Sequence, residues 1–138
     1  MKFTRNAQAE WKGSGKEGKG TLSSASGVLD GTPYSFSTRF TDEKGTNPEE
    51  LVGAAHAGCF AMQLSFLIGE AGYTPESLKV NATVTFEDGA VTHIALDLEG
   101  SVPGMPASAF AETAGKAKEI CPISKLLNAT ITLEARLV

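Results

Sequence analysis

The chain has 138 residues, 41% of them hydrophobic, 20% charged and 7% aromatic, which fits one soluble globular domain spanning 1–138 and excludes a disordered or fibrous protein. Twelve basic and sixteen acidic residues leave a net charge of −4, dispersed along the sequence. No basic footprint for nucleic acid or an anionic membrane is present, so neither is expected as a partner.

The first twelve positions, MKFTRNAQAEWK, lack the apolar core of a signal peptide and predict a chain that stays in the cytoplasm. Phe3, Arg5, Ala7, Ala9 and Trp11 alternate with polar residues at a period of two, the pattern of a strand. A polar glycine-rich connector, GSGKEGKG, reads as a turn, because it has neither Walker nor dinucleotide spacing. Short strands are predicted at 21–24 and 27–29, with Asp30-Gly31 as a hairpin signal before the next strand. On that strand Tyr34, Phe36, Thr38 and Phe40 share one face, with Ser35, Ser37 and Arg39 on the other. Arg39 is either a solvated charge or a bidentate partner for a carboxylate, through which it could project charge onto a thiolate.

Residues 46–50, Thr-Asn-Pro-Glu-Glu, mark a helix start. Asn47 can cap free N–H groups, Pro48 fits the first turn, and Glu50 at the third position can reach back to the cap. Glu49 and Glu50 also favour the positive end of the helix dipole. The helix is predicted over 48–70. Its segment 51–68 carries no formal charge and reaches the length of a membrane span. However, it holds His56, Gln63 and Ser65, and acids rather than basic anchors flank it. It therefore reads as a helix buried on most sides in protein.

Val80, Ala82, Val84 and Phe86 alternate on a further strand. Asp88-Gly89 turns it back into a partner with Ile94, Leu96 and Leu98 inward and His93 half exposed. A second helix is predicted over 106–120, with Phe110, Ala114, Ala117 and Cys121 on one face, stopped by Pro122. Residues 123–127 fit a helical turn, and Ile131, Leu133, Ala135 and Leu137 a last strand. The predicted order is ββββ-α-ββ-α-β, an α+β fold with largely antiparallel sheets. One small sheet cannot cover so apolar a helix, so a second copy of the chain is expected to cover the rest, giving a homodimer with long apolar helices at its centre.

The two cysteines, Cys59 and Cys121, admit two uses besides plain packing. As a redox pair, one thiolate attacks an oxidant and the other resolves the sulfenic acid into a disulfide. Cys59, in mid-helix among apolar groups, needs a nearby cation to become reactive. As zinc ligands they would need His56 and His93, but the only local pair is His56-x-x-Cys59, unlike a structural zinc motif. His56 otherwise reads as a packed core histidine.

Several segments resemble the osmotically inducible protein C (OsmC) family, whose relatives include the organic hydroperoxide resistance (Ohr) proteins. They are TRF at 38–40, KGTNPEELVGAAHAGCFAM at 44–62, EAGYTP at 70–75, VPG at 102–104 and CPISKLL at 121–127. His56 fits the OsmC branch better than the Ohr branch. The resemblance implies a thiol peroxidase for organic hydroperoxides and hydrogen peroxide, and an intertwined homodimer with active sites at its interface. By position, Cys59 matches the peroxidatic cysteine, Cys121 the resolving one, Glu49 the glutamate of the Asn-Pro-Glu block, and Arg39 the arginine of the OsmC branch. It further implies an external dithiol reductant, such as a dihydrolipoyl group, and no metal or prosthetic group. Phe36, Phe40, Phe60 and Met62 are candidates to line an alkyl-binding pocket. The alternative is a dimeric protein that binds small molecules in an apolar cavity and never cycles its thiols.

Glu49 and Cys59 lie ten residues apart on the predicted helix, about 15 Å of rise. A carboxylate at that distance cannot organise a cation beside the same chain's thiol, so Arg39 and Glu49 are expected to serve Cys59 of the second copy.

Overall fold

A computed structural model describes all residues, 1–138. They divide into two compact units, Met1–Leu51 and Val52–Val138. The elements run β1 (Ala7–Lys12), β2 (Lys19–Ser24), β3 (Thr32–Tyr34), α1 (Phe36–Phe40), α2 (Pro48–Glu70), β4 (Ser77–Glu87), β5 (Ala90–Ser101), α3 (Ala107–Ile120), α4 (Pro122–Leu126) and β6 (Thr130–Leu137). The fold is α+β, as the patterning predicts, and three of the four strand pairings are antiparallel.

In the first unit β1, β2 and β3 form an antiparallel sheet in that order. Trp11 pairs with Gly20, and Gly20 with Tyr34, so glycine sits between two aromatics in one cross-strand row. The rings close over it with centroids 5.4 Å apart. A Cβ on Gly20 would stand 2.5 Å from Tyr34 and 2.6 Å from Trp11, so only glycine fits. The indole N–H donates to the carbonyls of Gly13 and Ser14, both at 3.1 Å, pinning the glycine-rich turn.

Two expectations for this unit are corrected. Residues 27–29 form a bend rather than a strand, and 36–40 form helix α1 rather than the second half of a strand. Arg39 is therefore a helical residue. The competing signal is a capping box: the Thr38 N–H donates to Ser35 Oγ, and the Ser35 N–H to Thr38 Oγ1. Phe36 and Phe40, one turn apart, then stack at 5.0 Å instead of sharing a strand face. No apolar side chain of this unit is buried; only Gly18 and Gly20 are.

Helix α2 begins where Asn47 predicts. Asn47 Oδ1 accepts the Glu50 N–H at 2.8 Å. The Glu50 carboxylate accepts from Thr46 Oγ1 at 2.9 Å rather than from the cap backbone. The helix is long and apolar enough to cross a bilayer, and 33% of its most apolar window is buried inside the protein. Burial follows a single stripe, Gly53, His56, Phe60, Leu64, Leu67 and Ile68. Met62 and Phe66, off the stripe, are 64% and 62% exposed, so one chain covers one side of the helix and not most sides.

The second unit holds the core. β4 and β5 turn at Asp88 and Gly89, both at positive φ (51° and 81°), the backbone of a two-residue hairpin that follows the strand twist. On β5, Ile94, Leu96 and Leu98 point into the core and are fully or almost fully buried. Their neighbours are Val84, Ala82 and Val80 on β4, and Ile131, Leu133 and Ala135 on β6. β6 runs parallel to β5, because α3 and α4 carry the chain back to the start of β5 before it re-enters the sheet. The inward face of this sheet shares one cluster with Phe60, Leu64 and Ile68 of α2 and with Phe110, Ala114, Ala117 and Cys121 of α3. Gly100 cradles the Phe110 ring: an added Cβ would stand 2.5 Å from its Cζ.

Candidate active site

Within the second unit the fold brings the two cysteines together. Cys59 sits in mid-α2, partly exposed, one turn beyond the buried His56. Cys121 is fully buried at the break between α3 and α4, with φ −55° and ψ 124°. Pro122 causes that break by forbidding helical geometry in the residue before it, and then opens α4 at a position where a missing N–H costs nothing. The Cys121 thiol donates to Cys59 Sγ at 2.8 Å, and both are free thiols.

The Cys59 thiol is pushed above its usual range, chiefly by burial. The backbone N–H of Ile123, which hydrogen-bonds to Cys59, pulls the other way. On balance Cys59 is held protonated, and a nearby cation would be needed to make it reactive. His56 Nε2 lies 2.8 Å from Ser124 Oγ, and burial lowers the pKa of the ring, keeping it neutral. Its Nδ1 is buried without a partner. His93 stands apart on β5, bonded to Thr132 Oγ1 at 2.8 Å. No cluster of three or more His, Cys, Asp or Glu side chains could hold a metal.

In the first unit the fold joins the other two candidates. Arg39 Nε donates to both Glu49 oxygens at 3.1 Å, and Nη2 to Oε1 at 2.7 Å. Asn47 fixes the geometry by tying the two helix ends: its Nδ2 donates to the Thr38 carbonyl at 3.2 Å. The hydrogen bond from Arg39 holds the Glu49 carboxyl below its ordinary pKa, and Glu49 in turn raises that of the guanidinium. The guanidinium also lies 5.0 Å over the Phe40 ring. Beside it opens a cavity of about 500 Å³ lined by Trp11, Lys16, Tyr34, Phe36, Arg39 and Phe40. That volume suits a small organic molecule. Phe36 and Phe40 line this cavity, whereas Phe60 is wholly buried in the core.

Sequence reasoning missed Ile123, Ser124, Trp11, Lys16 and Tyr34 as neighbours of the candidate residues. No local signal marks the first two, since the partner of Ser124 is 68 positions away. Gly20 carries the signal for Trp11 and Tyr34, a glycine inside a strand pattern being the mark of a close approach.

Comparison with known proteins extends these observations. A profile of the OsmC-like protein family matches residues 41–136. "Peroxiredoxin OsmC" of Escherichia coli strain K12 is 52% identical over 141 residues, covering 99% of each chain, and that of Shigella flexneri matches equally. Among solved structures, the organic hydroperoxide resistance protein OhrB of Bacillus subtilis superposes with a TM-score of 0.73 at 26% identity, covering 97% of this chain and 98% of its own. An OsmC-like protein from Mycoplasma pneumoniae shares the fold at a TM-score of 0.78 and 16% identity, over 100% and 99% of the two chains. The segments that carry the paired thiols and the Asn-Pro-Glu helix start fall inside the matched region, and the chain belongs to the OsmC-like protein family.

Proposed function

We propose that the protein is a thiol peroxidase that reduces organic hydroperoxides, and hydrogen peroxide, through a Cys59–Cys121 disulfide. The peroxidase class rests on full-length similarity to proteins named peroxiredoxin OsmC and on the Ohr-type neighbour. One observation carries the detailed reading: two free thiols, far apart in sequence, meet at 2.8 Å, Cys121 fully buried and Cys59 partly exposed. A disulfide needs about 2.05 Å, so bonding requires less than an ångström of approach.

In this reading the Cys59 thiolate attacks one peroxide oxygen. The O–O bond breaks, Cys59 becomes a sulfenic acid, and the other oxygen leaves as alkoxide that takes up a proton. Cys121 then displaces the sulfenic oxygen as water and forms the disulfide. An external dithiol, of the dihydrolipoyl kind, accepts the disulfide and restores both thiols. Because burial holds Cys59 protonated, the cation that activates it is Arg39, oriented by Glu49.

The site is read as a product of two copies of the chain. The first unit buries no apolar side chain, and Met62 and Phe66 on α2 stand open, so both offer surface to a second copy. The ten-residue separation of Glu49 and Cys59 on α2 favours an Arg39–Glu49 pair that activates the partner's thiol. The apolar cavity beside Arg39 would receive the alkyl group of the peroxide. A reducing cytoplasm, which supplies dithiols and disfavours static disulfides, suits a pair that cycles.

The test is a thiol titration before and after one equivalent of cumene hydroperoxide. Two thiols per chain should disappear. Cys59→Ser should consume no peroxide, and Cys121→Ser should consume one equivalent and stop with Cys59 oxidised. A protein that loses no thiols would be a binder of apolar molecules instead.

A further inference from the structure

His56 is the one polar side chain among the fully buried residues of the core, and the peroxide chemistry above gives it no task. It lies on α2 one turn before Cys59 and bonds Ser124, three residues beyond Cys121. The 121–124 corner is thus tied to α2 at three points. The Cys121 thiol and the Ile123 N–H both bond to Cys59 Sγ, and Ser124 Oγ bonds to His56 Nε2.

The first two ties end on the reacting sulfur. Both must rearrange when that sulfur takes up an oxygen, and only the third is independent of the oxidation state. Nδ1 of the same ring is buried without a partner, although buried polar atoms are nearly always paired. As a neutral group, the ring adds no charge beside the thiols.

We propose that His56 and Ser124 are positioning residues of the resolving step, a proposal that rests on the peroxidase reading. Their hydrogen bond holds the corner against α2 while Cys59 carries the sulfenic oxygen, so that Cys121 reaches it before a second peroxide does. In the productive step the Cys121 sulfur supplies the electron pair of the new S–S bond. The S–O bond of the sulfenic acid breaks, and its oxygen leaves as water with the Cys121 proton. In the competing step a second hydroperoxide transfers an oxygen to the sulfenic acid, giving sulfinic acid and an alcohol.

The experiment treats the reduced full-length protein with increasing cumene hydroperoxide, quenches it, and measures disulfide and sulfinic acid by intact mass. Consumption of the first equivalent is followed separately. Ser124→Ala should consume that equivalent at the wild-type rate, while its ratio of sulfinic acid to disulfide rises about tenfold, the factor that corresponds to one lost buried hydrogen bond. Ser124→Thr, which keeps the hydroxyl, should return the ratio toward wild type. An unchanged ratio in folded Ser124→Ala overturns the proposal. So does an equal loss in the first step, which would mean that the pair acts on Cys59 and not on resolution. Should Ser124→Ala not fold, His56→Leu decides by the same ratio. Wild-type protein that yields neither product would overturn the peroxidase reading itself, and this inference with it.

Discussion

Replacing Gly100 tests whether α3 packs on the sheet through the close approach of Phe110 to Gly100. A methyl at residue 100 would stand 2.5 Å from Phe110 Cζ, 2.8 Å from Cε2 and 3.2 Å from Leu78 Cδ2. Carbon atoms prefer about 3.5–4.0 Å, so the ring must retreat by roughly an ångström. It is 1% exposed and has nowhere to go without moving its helix. Overpacking of this kind costs about 1–3 kcal/mol, a large share of a typical stability of about 5–15 kcal/mol. Phe110→Leu alone removes the end of the ring and leaves a void, at about 1–2 kcal/mol. In the double variant the new methyl fills that void, so the loss should fall short of the sum by about 1–2 kcal/mol. Urea unfolding of the four proteins at one fixed concentration measures the coupling. Additivity within about 0.5 kcal/mol would refute the contact and the reasoning built on it.

Arg39→Ala should slow the reaction with peroxide by orders of magnitude while changing stability by less than about 1 kcal/mol, because the ion pair is partly exposed and screened. Early melting with normal reactivity would make Arg39 structural. Since the Glu49 carboxyl is held low in the folded state, what the pair adds to stability is complete above the ordinary carboxyl pKa and is lost on acidification. Unfolding curves of wild type and Arg39→Ala should therefore converge below about pH 4. Mixing inactive Cys59→Ser with inactive Glu49→Ala should restore activity, because in a trans site the heterodimer has one active centre free of both defects. No recovery, with heterodimers seen by mass, would place the site within one chain.

The long helix was legible because its start is written in consecutive residues, Asn47, Pro48, Glu49 and Glu50, and each acts through the nearest turn. The Phe110-Ala114-Ala117-Cys121 stripe was legible for the same reason, since helical period fixes a face without reference to any partner. α1 reads as strand in the sequence because Phe36, Thr38 and Phe40 satisfy a period of two as well as a helical turn. The deciding signal, Ser35 with Thr38, is a capping box without the usual Glu or Gln. The parallel pairing of β6 was beyond reach for another reason. Direction depends on how the intervening helices return the chain, and no residue of β6 encodes that. Each candidate residue was named from local context together with the family resemblance, but the 2.8 Å meeting of the sulfurs and the His56–Ser124 bond arise only when distant segments pack.

In the proposed disulfide cycle, the meeting of Cys59 and Cys121 would make the tightness of the fold depend on electrons. Joining the sulfurs closes a loop of 62 residues. On chain-entropy grounds, a loop of that length removes about 4 kcal/mol of disorder from the unfolded chain. In the reaction read here, the oxidised protein is accordingly the harder of the two forms to unfold. A dithiol that resets the thiols therefore returns the chain to its looser form. In that cycle the protein starved of reductant would accumulate in its more durable state, and with reductant plentiful it would work in the state more exposed to proteolysis.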